Sequence, residues 1–147
     1  MGAWRISDTV PADLAERMQG RFQDWPPIAN WALSIADLQP GRAEMHLTAT
    51  AAVTNGPRGT VNGGVLAALA DLTSALALST AFDGKMPFAT SDLHIRYLEP
   101  AVGVVAAKAE VVRLSGRSAV VECQIRAADE IACLCTAQFA IRRSLGG

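Results

Sequence analysis

The chain is poor in the residues on which most enzyme active sites depend. Its 147 residues include two histidines, three cysteines and one tyrosine, and aromatic residues make up only 5%. The sequence contains neither a Ser-His-Asp order nor a nucleophile-elbow pattern, either of which would indicate a hydrolase of the triad type. The charges nearly cancel, with a net charge of −1. The composition therefore favours neither nucleic acid nor an anionic membrane as a partner.

The cysteines are Cys123, Cys133 and Cys135. An odd number of cysteines, together with the lack of an apolar leader in the first residues, predicts reduced thiols and a cytoplasmic protein. Cys133 and Cys135 alternate on a predicted strand and face the same side, and a zinc site would need further ligands at metal spacing. We therefore expect small core side chains here, and neither a metal nor a cofactor.

Length and composition indicate one globular domain. Half of the residues are apolar and 18% are charged, which suits a chain that buries a core. Residues 1–29 are predicted to form an arm with one short helix, which starts near Pro11 and ends before the prolines that follow Trp25. Because Trp4, Trp25 and Trp31 all fall in this early region, we expect the arm to pack on the domain.

Alternation of apolar and polar residues predicts strands on both sides of a single long helix. Two strands joined by a Pro-Gly turn come first, and residues 54–60 are predicted to be a loop. After the helix, strands are predicted at 87–101, 102–114, 118–127 and 131–143. This order indicates an α+β fold in which a largely antiparallel sheet packs on one helix.

The helical stretch from Gly59 to Phe82 carries a single charge, Asp71. Its length would suit a membrane span, but Asp71 and the glycines near its start favour a buried core helix. A carboxylate in such surroundings is costly unless it is bonded or paired. Asp71 is therefore either a core carboxylate bonded to Thr73, Ser74 or a backbone amide, or a nucleophile or general base.

Asn62 stands where it would cap this helix, and Gly63 and Gly64 leave the first-turn amides open to close approach. The turn is either an ordinary cap packed against a strand or a site for negative charge, such as a developing oxyanion. Asp71 lies eight residues after Gly63, which is about 12 Å along the helix. Use of both in one reaction predicts a two-fold dimer in which a second helix runs antiparallel to the first.

The spacing of these residues resembles that of the hotdog-fold acyl-CoA thioesterases, in particular the branch typified by the phenylacetic-acid-degradation thioesterase. That family has an Asn in a loop, a His-Gly-Gly turn and an Asp on the following helix, which correspond here to Asn55, residues 62–64 and Asp71. Further family features correspond to Asp92, Tyr97-Leu98, Pro100-Ala101 and the turn Ser115-Gly116-Arg117. The resemblance covers roughly residues 40 to 142.

The resemblance implies the hotdog fold, in which a curved antiparallel sheet wraps around one long central helix. A single domain would span residues 1–147 and assemble as a homodimer or as a tetramer of two dimers. The implied activity is hydrolysis of an acyl-CoA thioester. The Gly63 amide would polarise the carbonyl, and Asp71 of the partner subunit would act as nucleophile or general base.

The resemblance also implies roles for residues around this pair. Asn55 would help to hold the substrate or the water, and Thr90 corresponds to a family hydroxyl that assists water. The catalytic group would thus include Asn55, Asn62 and Thr90. Substrate binding would involve Gly64, Ser74, Gly116 and Arg117. The last two would lie along the CoA nucleotide or its phosphates, although a solvated turn is the alternative for Arg117.

The chain departs from the family at Asn62, where the family has histidine. Asparagine still caps a helix and donates a hydrogen bond, but it does not titrate near neutral pH. The substitution leaves open a second function, that of a non-catalytic protein that binds acyl-CoA or another acyl ligand. Leu76 stands where hotdog hydratases have a histidine, which argues against hydratase activity.

Overall fold

The computed structural model describes Ile6 and residues 8–142. Six antiparallel strands form the main sheet: β1 (Ala32–Gln39), β2 (Arg42–Thr48), β5 (Phe88–Tyr97), β6 (Val104–Leu114), β7 (Ser118–Ala127) and β8 (Glu130–Ile141). Their spatial order is β1-β2-β6-β7-β8-β5, so β1 and β5 are the two edges. The helices are α1 (Leu14–Asp24) and α2 (Gly63–Ser79). The α+β prediction is confirmed.

Helix α2 packs across β2, β6 and β7, with fewer contacts to β8 and β5. It ends in a 3₁₀ turn, and Asp83 then adopts a left-handed conformation (φ 56°), as the Asp-Gly exit signal predicts. The segment Gly63–Phe82 is long and apolar enough to cross a membrane by those two criteria alone. Since 61% of its most apolar window is buried inside the protein, it has the environment of a core helix.

The predicted loop at residues 54–60 is more regular than expected. It contains a two-stranded hairpin of β3 (Thr54–Asn55) and β4 (Thr60–Val61). Gly56 and Gly59 have positive φ angles of 57° and 66°, which allows the chain to reverse within four residues. The loop prediction was therefore wrong at its two ends, and the hairpin carries Asn55 to the start of α2.

Helix α1 anchors the N-terminal arm by one apolar face. Leu14, Met18 and Phe22, spaced four residues apart, are buried in the core. Trp31 is partly buried against the same core, whereas Trp25 is 47% exposed, so the arm packs largely without it. Trp4 lies outside the described residues.

A side chain of α1 closes one edge of the sheet. Gln19 Nε2 donates to the Leu33 carbonyl (3.0 Å), and the Ile35 amide donates to Gln19 Oε1 (2.8 Å). The side-chain amide thus satisfies the edge strand β1 as a neighbouring backbone would. Free strand edges invite pairing with other chains, and within the described residues no helix covers the opposite edge, β5.

Replacing Gln19 by alanine should reopen this edge. We expect Gln19→Ala to lower the free energy of unfolding by about 1–2 kcal/mol, because two partly buried hydrogen bonds are lost. Urea denaturation measures the change, and light scattering should show increased self-association through β1. Gln23→Ala is the matched control, since Gln23 is exposed on the same helix. Equal effects of the two substitutions would contradict the edge-closing role of Gln19.

Candidate active site

Asn62 caps α2 as the sequence predicts. Its backbone is extended (φ −57°, ψ 137°), and its Oδ1 accepts from the amides of Gly64 (2.8 Å) and Val65 (3.3 Å). Its own amide donates to the Val53 carbonyl, and its carbonyl accepts from Leu66. The cap is therefore fixed by both side-chain and backbone bonds.

The Gly63 amide is left without a partner by this arrangement. Of the N–H groups in the first turn of α2, those of Gly64, Val65 and Leu66 are all bonded to Asn62. Among the described residues nothing accepts from Gly63 N–H. The sequence suggested that both glycine amides are open, but the cap uses that of Gly64. One unpaired donor at the positive end of a long helix remains available to an anionic oxygen.

The two glycines differ in what they make possible. A Cβ at Gly64 would lie 3.0 Å from Asn62 Oδ1, so the absence of a side chain there allows the cap to close. The atoms nearest to a Cβ at Gly63 would be those of the Tyr97 side chain, at an ordinary 3.5 Å. Gly64 thus serves the cap, whereas Gly63 presents its amide.

Tyr97 holds the start of α2 against the end of β5, a role that sequence reasoning missed. Its hydroxyl donates to the Gly63 carbonyl at 2.6 Å. Partial burial raises the pKa of Tyr97, and the Cys133 and Cys135 thiols raise it further, so the hydroxyl is a donor at neutral pH. The only signal in the sequence was strand alternation, which puts Tyr97 on the same face of β5 as Leu93.

Asp71 is half-buried, and its Oδ1 accepts a hydrogen bond from Thr90 Oγ1 at 2.7 Å. Thr90 is on β5, so the bond joins the edge strand to the middle of α2. The partners suggested by proximity in sequence are engaged elsewhere or out of reach. Thr73 donates to the Leu69 carbonyl, and Ser74 is fully buried. The hydroxyl that the family resemblance indicated is the one that contacts the acid.

The thiols lie in the core behind Asp71. Burial raises the pKa of Cys133 and of Cys135 to about 11, and the Asp71 carboxylate contributes to the shift of Cys135. Burial raises the pKa of Cys123 further still, and the neighbouring Cys135 thiol adds to that shift. All three thiols are protonated at neutral pH and fill space as predicted. In the described part of the chain no cluster of three His, Cys, Asp or Glu side chains could hold a metal.

Of the remaining predicted residues, Asn55 lies at the start of α2, Gly116 and Arg117 lie on the side of Asp71, and Ser74 belongs to neither group. At the start of the helix, Asn62 Nδ2 donates to Asn55 Oδ1 at 2.9 Å. Gly116 and Arg117 form the exposed β6–β7 turn. The Arg117 carbonyl accepts from Ile141, which pairs with Phe88 at the beginning of β5, so this turn is at the Asp71 end. Ser74 is fully buried in the core.

The structure thus forms two separate clusters within one protomer. The first comprises Asn55, Asn62, Gly63 and Tyr97 at the start of α2, and the second comprises Asp71 and Thr90. The glycine and the acid are eight residues apart on one rigid helix, about 12 Å. A single carbonyl group cannot contact both unless a second protomer supplies one of them.

Comparison of the sequence with known proteins identifies a family. A family model described as the thioesterase superfamily matches residues 58–134, which include α2 and β5–β7. A protein of Halobacterium salinarum, provisionally named an esterase, is 32% identical over 117 residues, which are 77% of this chain and 78% of that protein.

Solved structures show the same fold. A point mutant of the phenylacetic acid degradation protein PaaI from Thermus thermophilus has a TM-score of 0.71 and 28% identity, over 81% of this chain and 100% of that one. A thioesterase from Haemophilus influenzae has a TM-score of 0.81 over 96% and 97% of the two chains, and at 20% identity it supports the fold alone. The expected hotdog fold is confirmed.

The different roles of the two glycines predict different effects on stability. Gly64→Ala should destabilise the protein relative to Gly63→Ala by about 1 kcal/mol, because the new Cβ displaces the capping oxygen of Asn62 and a lost cap costs about that much. Thermal or urea unfolding of both variants measures the difference. Each adds the same alanine to the first turn of α2, so each controls for helix propensity in the other. Equal stabilities would contradict the assignment of Gly64 to the cap.

Proposed function

The chain belongs to the thioesterase superfamily, and we propose that it hydrolyses acyl-CoA thioesters to the free acid and CoA at a site shared by two protomers. The observation that carries this proposal is the unpaired amide of Gly63 beside a capped helix start. A backbone donor that is fixed in advance stabilises the oxyanion of acyl transfer at no cost of rearrangement. The thioester carbonyl oxygen would accept from this amide, and Asn55 would lie beside it.

Asp71 of the other protomer is the proposed reacting acid. The Thr90 hydroxyl holds Oδ1 and leaves Oδ2 for the reaction. As a general base, the carboxylate takes a proton from water while the water oxygen attacks the carbonyl carbon. The tetrahedral intermediate then collapses, the C–S bond breaks and the CoA sulfur leaves with the proton that the Asp71 carboxyl returns. As a nucleophile, the carboxylate would attack the carbonyl carbon and displace the CoA thiolate, and water would then hydrolyse the resulting anhydride to the free acid and the Asp71 carboxylate.

An apolar stripe on α2 supports the shared site. Val65, Ala68, Leu72 and Ala75 lie on the same face as Asp71, and all are half-buried in a single protomer. Such a stripe on an otherwise buried helix favours contact with another apolar surface. The alanines would let a second copy of α2 approach closely.

The open strand β5 gives that second copy a place to dock. Thr90 near its beginning touches Asp71, and Tyr97 at its end touches Gly63. A bulge between Thr90 and Asp92 puts Thr90 opposite Phe139, on the inner face that Tyr97 shares. If two β5 strands pair antiparallel about a two-fold axis near His94, Thr90 of each lies opposite Tyr97 of the other. The acid of one protomer then faces the glycine of its neighbour.

The other assignments follow from this arrangement. Arg117 and Gly116 lie at the acid end of their own protomer, and therefore near the neighbour's glycine in the dimer. There Arg117 would contact the CoA phosphates. Gly64 contributes by shaping the turn that the substrate meets. The assembly would be a homodimer or a tetramer of two such dimers, and the protonated buried thiols suit a cytoplasmic protein.

A second candidate function is binding of an acyl-CoA without turnover. Asn62 favours it, because the family's histidine is absent and the cap carries no group that titrates near neutral pH. The two functions differ in a single measurement. Tight binding of acyl-CoA without release of free thiol would support the second function.

Removal of the acid should abolish turnover. We expect Asp71→Asn and Asp71→Ala to lower kcat by about 10²–10⁴-fold, the usual contribution of a general base. The assay follows thiol release from a panel of aryl-CoA and fatty-acyl-CoA substrates. Asp37→Asn is the matched control, since Asp37 is exposed on β1, at the opposite edge of the sheet from β5. Unchanged turnover in both Asp71 variants would rule out the proposed role of the acid.

Hybrid dimers test the sharing of the site. Gly63→Pro removes the proposed donor while keeping a residue favoured at the first helical position, and the extended Asn62 backbone accepts a following proline. Gly63→Pro and Asp71→Asn should each be inactive as homodimers. After unfolding and refolding a 1:1 mixture, roughly one quarter of the wild-type rate should return, because half the dimers are hybrids with one intact site of two.

A mixture that stays inactive, although size-exclusion chromatography with light scattering shows hybrid dimers, would contradict the shared site. A monomer with full activity would contradict it as well. The refolded wild-type protein serves as the control for recovery from denaturant.

A further inference from the structure

The side chains of Asn62 and Asn55 form a chain of hydrogen bonds with a fixed direction. Asn62 Oδ1 accepts from two backbone amides, those of Gly64 and Val65. An NH₂ group cannot accept these bonds, so only one of the two amide orientations satisfies the cap. The NH₂ group of Asn62 must therefore point away from the helix, towards Asn55.

The orientation of the Asn62 side-chain amide fixes that of the Asn55 side-chain amide. Because Asn62 presents a donor, Asn55 must present its oxygen, and the two atoms are 2.9 Å apart. The Asn55 NH₂ group is thus turned outward. Asn55 is exposed, and among the described residues its Nδ2 has no hydrogen-bond partner.

The backbone around this pair is also fixed. Asn55 pairs with Thr60 in the β3–β4 hairpin. The hairpin is tied to its surroundings by the bond from the Asn62 amide to Val53 and by that from the Val61 amide to Ala101. Two donors, Asn55 Nδ2 and Gly63 N–H, therefore flank the Asn62 side chain on a fixed backbone, and neither has a partner within Ile6 and residues 8–142.

We propose that Asn62 is a positioning residue, which turns the Asn55 amide so that its NH₂ group donates a second hydrogen bond to the thioester oxygen held by Gly63. The inference rests on the proposed function, since it concerns the same carbonyl. Two donors match the two lone pairs of the oxyanion. Asparagine at residue 62 suits this role because its side chain accepts and donates hydrogen bonds at the same time and does not titrate.

The test is a double-mutant cycle of neutral variants. Asn62→Ser keeps a good helix cap but is too short to reach Asn55, and Asn55→Ala removes the proposed donor. We expect each to lower kcat by about 10²–10³-fold, in line with the loss of one oxyanion donor, with a smaller change in KM. The double variant should be no slower than the slower single variant, because both remove the same interaction.

Two outcomes would overturn the proposal. One is a fully active Asn62→Ser, and the other is a double variant whose loss equals the product of the two single losses. Asn30→Ser, at an exposed asparagine in the turn before β1, controls for the chemical change, and unfolding curves should show that Asn62→Ser keeps its cap.

A second measurement needs no substrate and separates this inference from the proposed function. In ¹⁵N-labelled protein, the NH₂ resonance of Asn62 should shift markedly in Asn55→Ala, because its acceptor is gone. An unchanged resonance would refute the hydrogen bond even in an active enzyme. If the resonance shifts but the wild-type protein releases no thiol from any acyl-CoA, the proposed function fails while the amide orientation stands.

Discussion

The cap at the start of α2 is the interaction on which the candidate site depends. One side-chain oxygen, Asn62 Oδ1, satisfies two amides of the first turn, and the residue's carbonyl satisfies a third. Gly63 N–H is the one amide of the first turn that these bonds leave without a partner among the described residues. The positive end of the helix dipole lies at this group. The bonds that begin the helix therefore also determine which amide would face a negatively charged oxygen.

Within the described residues, the sheet has one edge closed by a side chain and one edge left open. Gln19 satisfies β1 from the side, whereas β5 keeps its outward-facing backbone groups. The open strand is also the one that contacts both candidate clusters, through Thr90 and Tyr97. The strand whose edge is open therefore also contacts the two residues of α2, Gly63 and Asp71, that would need a second protomer.

The fold and the start of α2 could be predicted because their signals are local. Alternation marks the strands, and an asparagine before two glycines marks the beginning of an apolar helix. Contacts between distant segments left no such signal. Thr90 reaches Asp71 across 19 residues, so no pattern within α2 could identify it. Gln19 is an ordinary polar residue on a helix, and the choice of Gly64 over Gly63 by the cap depends on backbone angles.

The bulge in β5 determines which face of the sheet the side chains that precede it occupy. One extra residue between Thr90 and Asp92 keeps the threonine hydroxyl on the side of the helix. Deleting that residue would rotate every preceding side chain to the opposite face, and the carboxylate of Asp71 would lose its donor although the ladder could still form. During evolution, the loss of one residue here would separate Thr90 from Asp71 while leaving the rest of the fold intact.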